Sequence, residues 1–121
     1  MGVMTSQPQW AIDRHIRAAT RNLVQALHYH RYGYATLTNN YPQEWRDRMT
    51  ESNGRTIAAY ARRAGQSARY SGQLCEAWES RCPRAYAVPE IRDAFVRGWL
   101  ATDRDILEVV DSPVDITDIR D

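Results

Sequence analysis

Lysine is missing altogether: the 16 basic residues of this 121-residue chain are all arginine. Cationic contacts must therefore come from a planar guanidinium, which suits bidentate contact with phosphate or carboxylate, although a GC-rich genome yields the same bias with no functional meaning. Long apolar runs are missing too. None approaches the roughly 20 residues that a membrane helix needs, and the N-terminus lacks the basic and apolar regions of a secretory signal, so a cytoplasmic protein with no membrane partner is expected. Cysteine is limited to Cys75 and Cys82. Seven residues apart on a continuous helix, their Cα atoms would be separated by about 10 Å, beyond disulfide reach, and two cysteines make no zinc site without histidines placed nearby.

Catalytic signatures are equally thin. No glycine-rich phosphate loop, nucleophile elbow or zinc signature occurs. His15, His28 and His30 fall in no paired-ligand spacing, His28 and His30 point to different sides of a helix, and His30, on the apolar stripe, is expected to be a hydrogen-bonded boundary residue rather than a ligand or base. Glu76 and Glu79 stand three apart, but no second carboxylate–histidine pair supports a di-metal site. The expectation is a protein without enzymatic activity, metal or cofactor.

What the chain does have is helical periodicity. Ile12, Ile16, Ala19, Leu23, Leu27, His30 and Tyr34 recur at helical spacing opposite Asp13, Arg14, Arg17, Arg21, Gln25 and His28, which predicts an amphipathic helix over 8–32, capped by Ser6 and stopped by Gly33. A short helix from Tyr41 to about Ser52 presents Tyr41, Trp45 and Met49 and ends at Asn53-Gly54. The stretch from Thr56 to Cys82 is expected to be one helix of roughly 40 Å, because Ala58, Ala61, Gly65, Ala68, Gly72 and Cys75 form one stripe of small side chains. Such a stripe lets a second helix approach to the near end of the usual 8–10 Å range. Pro83 closes that helix, 84–88 forms a loop, and Pro89 with Glu90 starts a last helix that carries Ile91, Phe95, Trp99, Thr102 and Ile106.

These elements predict an all-α fold, a small helical bundle of three long helices and one short one. Residues 1–110 form a single helical domain and 111–121 an acidic tail. Charge divides a little earlier: residues 55–104 carry nine arginines and five acids, whereas 105–121 carry one arginine and six acids.

Two stretches favour binding. His28-Tyr29-His30-Arg31-Tyr32-Gly33-Tyr34 interleaves aromatic and basic residues, so Arg31, Tyr32 and Tyr34 suit stacked bases and phosphate, or else close the end of the core. Arg55, Arg62 and Arg69 are seven apart on one helical face, with Arg63 beside them, a ridge that suits phosphates or an acidic protein as well as plain solvation.

The second half of the chain also carries Cys82-Pro83 between two helices, then Arg92-Asp93-Ala94-Phe95-Val96-Arg97-Gly98-Trp99, with Tyr60 and Ala64-Gly65-Gln66-Ser67 upstream. From about Tyr60 to Arg104 it resembles ribosome modulation factor and its short relatives, whose pattern is Arg-x-x-aromatic-aliphatic-x-Gly-Trp. The chain departs from them in a longer first helix, extra residues after Cys82 and 54 residues of other helices in place of a basic tail. The resemblance implies a helical hairpin that binds the small ribosomal subunit at its RNA. On packing grounds alone, Gly98 admits a neighbouring helix while Phe95 and Trp99 fill the core. A ribosome- or RNA-binding modulator is thus one expectation. The other is an inhibitor or adaptor of mobile-element type that binds a host protein complex, and a homodimer through the small-residue stripe is a third arrangement.

Overall fold

Pro8, whose carbonyl accepts bonds from the Ala11 and Ile12 N–H groups at 3.0 and 3.2 Å, sets the start of the first helix. The computed structural model describes residues 7–33 and 41–111, the side chains of 110 and 111 excepted. Ser6, Tyr34 and the tail from 112 onward lie outside the described residues. Helix α1 (Gln9–His28) continues into a π-helical turn, Tyr29–Gly33, followed by α2 (Gln43–Tyr70), the short α3 (Ala77–Arg81) and α4 (Pro83–Tyr86), and α5 (Pro89–Asp111). The described residues are all-α, with three long helices, as the periodicity predicts.

The core forms where α1, α2 and α5 meet. Ala19, Leu23 and Ala26 enter from α1, Ile57, Ala61, Ala64 and Ala68 from α2, and Ile91, Ala94 and Phe95 from α5. Alanine dominates the α2 contribution, so its neighbours close in rather than interdigitate with long side chains. Helices α1 and α2 run antiparallel: His15 lies against Tyr70, Tyr29 against Tyr60, and Asn53 Nδ2 donates to the Gly33 carbonyl at 3.0 Å.

The predicted groove on α2 exists, and α5 of the same chain fills it. A Cβ on Gly65 would overlap the Phe95 carbonyl oxygen and stand 2.8 Å from the Trp99 nitrogen; one on Gly98 would overlap the Arg62 carbonyl oxygen. These two glycines offset their helix-interior cost, about 0.5–1 kcal/mol each, by admitting backbone-to-backbone contact.

Three predicted boundaries need correction. Asn53-Gly54 does not end a helix: the predicted short helix, which starts at Gln43 rather than Tyr41, runs on through it into the segment from Thr56 as part of α2, because the Asn53 amide finds a tertiary acceptor and Ile57 packs just beyond. Nor does the central helix reach Cys82. It stops at Tyr70, where Ser71 Oγ donates to the Ala68 carbonyl and Gly72 adopts φ +79°. Gly72 is therefore not a packing residue; a Cβ there would meet nothing within 4 Å, and glycine serves the left-handed turn that ends the helix. Cys75 accordingly leaves the stripe. The turn folds α3 back, so that Trp78 is fully buried with its ring 5.9 Å from Phe95. Finally, Pro83 opens α4 within the predicted loop, a position where its missing N–H costs nothing.

Candidate nucleic-acid interface

Of the four arginines predicted along α2, three face solvent and one does not. Arg55, Arg62 and Arg63 are exposed. Arg69 turns into the α2–α5 seam, where its Nε donates to Asp103 Oδ1 at 2.8 Å and its guanidinium lies 5.6 Å from the Trp99 ring centroid. Seven-residue spacing puts Arg69 on the same side as Arg62, but α5 crosses that side and supplies the carboxylate. Arg63 lies 5.8 Å from the Tyr60 ring, which stacks on Tyr29 at 5.6 Å and 17°. Beside Arg62 and Arg63 is a shallow groove of about 340 Å³, floored by Ala59, Gly98 and Ala101 and flanked by Asp105.

The aromatic and basic run at the end of α1 divides. The wide turn sends Tyr29 inward to Tyr60 and leaves Arg31 and Tyr32 outside, Tyr32 58% exposed and 4.9 Å from the His28 ring. His30 Nε2 stands 3.2 Å from Glu90 Oε1 at the start of α5, which ties the two helix ends together. Tyr34 lies outside the described residues.

In the sequence the outward face of α1 has the pattern of an ordinary polar face. The structure leaves Trp10, Arg14, Arg17, Arg21 and His28 exposed along it, and Trp10 is 66% exposed. The signal that could have found this face is the tryptophan on its charged side, out of step with the apolar stripe. Among the described residues, Arg69 pairs with Asp103 inside the α2–α5 seam and Arg92 with its neighbour Asp93 on α5 at 3.9 Å, whereas the exposed arginines of α1 and α2 pair with no carboxylate.

The thiols and acids are placed for packing. Both cysteines are free. Burial, reinforced by Glu76, pushes the Cys75 thiol up to about 11, and burial also raises Cys82 against the opposing pull of Arg81 and a hydrogen bond with Thr20. Both therefore stay protonated at neutral pH and are weak nucleophiles. Among the described residues, no three His, Cys, Asp or Glu side chains gather into a metal-holding group, and no helix is long and apolar enough to cross a membrane.

Comparison with known proteins finds no family, no curated protein and no solved structure that matches this chain.

Proposed function

We propose that this protein is a non-enzymatic regulatory module that binds RNA, with the ribosome as the setting that the resemblance of Tyr60–Arg104 implies. One observation carries the reading: arginines exposed on α1 and α2 stand without carboxylate partners among the described residues, so their guanidiniums are available to phosphate at no cost in broken ion pairs there. Arg55, Arg62 and Arg63 form the α2 part of that surface, and Arg31 with Tyr32 extends it at the end of α1. Co-sedimentation with ribosomes and with purified ribosomal RNA at low salt tests the proposal. Binding that weakens steeply as salt rises supports it; no binding at low salt defeats it.

A specific feature of α5 favours a second reading. Leu100, Leu107 and Val109 are 50%, 49% and 70% exposed, and Leu100 and Leu107 line a groove of about 450 Å³ with Asp103, Arg104 and Glu108. Apolar side chains among charges of both signs suit a protein partner, as an inhibitor or adaptor needs. Capture from nuclease-treated lysate separates the two: a partner lost with the nucleic acid belongs to the first reading, and one retained to the second.

A further inference from the structure

We infer that the outward face of α1 is a platform for single-stranded RNA, a surface that reaches beyond the α2 ridge, shares Tyr32 with it and rests on the RNA-binding reading above. Trp10, Arg14, Arg17, Arg21 and His28 follow one another at four, three, four and seven residues, so they share one side of the helix. Trp10 and His28 are five turns apart, about 27 Å, and Tyr32 lies one wide turn further on. The ridge thus has an indole at one end, an imidazole–phenol pair in contact at the other, and three guanidiniums between them.

Three features select the occupant. The first is charge: Asp13 is the acid on this flank, it is half-buried, and the Gln9 amide donates to it at 2.9 Å, whereas the three arginines have no partner among the described residues. The second is exposed aromatic surface. Trp10 and Tyr32 are 66% and 58% exposed, and ring faces left in water beside cations are what unpaired bases stack on. An RNA duplex would use the arginines and waste the rings, because its bases are stacked internally and its major groove is too deep and narrow for side chains to read. The third is self-repulsion. A second copy docked about a two-fold axis would set the three arginines of one protomer against those of its partner with only the half-buried Asp13 of each, among the described residues, to offset them.

The test is fluorescence anisotropy on the full chain, with an unstructured single-stranded RNA of about 12 nucleotides and a duplex of equal length, a size within the usual range for such sites. The single strand should bind at least about tenfold tighter than the duplex. Trp10→Ala with Tyr32→Ala should weaken single-strand binding by at least about tenfold and leave duplex binding unchanged, given typical stacking contributions. Arg14→Gln, Arg17→Gln and Arg21→Gln together should flatten the salt dependence, reducing the slope of log K against log salt by about 2 for three phosphate contacts. All these side chains are exposed, so circular dichroism should show both variants folded. Equal or tighter duplex binding, or aromatic variants that bind as wild type, overturns the platform; if Arg62→Glu with Arg63→Glu still weakens binding, the broader RNA reading survives that result. No salt-dependent binding to either RNA removes both.

Discussion

Gly65 and Gly98 are reciprocal: each presses its bare Cα against a carbonyl of the opposite helix, Gly65 on Phe95 and Gly98 on Arg62. The obstacle to a side chain at either position is backbone, which cannot step aside as a flexible side chain can. Gly65→Ala or Gly98→Ala should therefore force α2 and α5 apart and cost about 2–3 kcal/mol, the upper part of the overpacking range. Thermal unfolding followed by circular dichroism should show a drop of at least about 8 °C for either variant. Gly72→Ala meets open space and pays only for the left-handed backbone, about 1–2 kcal/mol, so its effect should be the smallest of the three.

Arg62 and Arg69 share a face in the helical register but not a role. Arg69→Ala removes a bond to Asp103 whose partners are only 20% and 28% exposed, together with the contact on Trp99, and should cost on the order of 1–2 kcal/mol. Arg62→Glu with Arg63→Glu should leave the melting temperature nearly unchanged and lower RNA affinity. Measuring both quantities on both variants separates the seam from the surface, and an Arg69 variant as stable as wild type would contradict the seam assignment.

Alkaline pH should weaken the fold through Cys75. Its thiol is raised from 9.0 to about 11 in the folded chain, mainly by burial. Below pH 9 folded and unfolded chains both keep the proton and stability is complete. Between pH 9 and about 11 the unfolded thiol ionises while the folded one resists, so stability falls as pH rises. Denaturant midpoints should decline across that window, and Cys75→Ala should flatten part of the decline.

Trp99 joins α5 to the turn after α2 through its indole Nε1, which donates to the Gln73 carbonyl at 2.8 Å. Trp99→Phe keeps an aromatic ring and deletes the donor, so about 1 kcal/mol should be lost. Hydrogen exchange should accelerate first in residues 71–76, the segment whose position that bond fixes.

Helix identity was legible in the sequence, because apolar residues at three- and four-residue intervals mark α1, α2 and α5 whatever their partners. Breaks were harder to read. Asn53-Gly54 and Gly72 carry the same local signal, yet only the second ends a helix: the Asn53 side chain bonds Gly33, twenty residues upstream, which no local pattern reveals. Small side chains at Gly65 and Gly98 mark a close-approach seam in the sequence, and the two helices meet there backbone to backbone. Register alone could not place Arg69 in that seam, since its fate depends on Asp103 thirty-four residues downstream. The platform on α1 was overlooked for the opposite reason: it makes few contacts, and its meaning lies in what it leaves uncovered.

The widened turn at Tyr29–Gly33 accommodates one residue more than regular α-geometry would over the same rise. Five residues of π-helix sweep nearly the same angle and rise as four of α-helix, so excising one there would let the turn close to α-geometry with little net rotation. The Gly33 carbonyl could then keep its bond from Asn53, so the surplus residue is carried as girth rather than as rotation, on a widened ring that turns Tyr29 to the core and leaves Arg31 and Tyr32 outside.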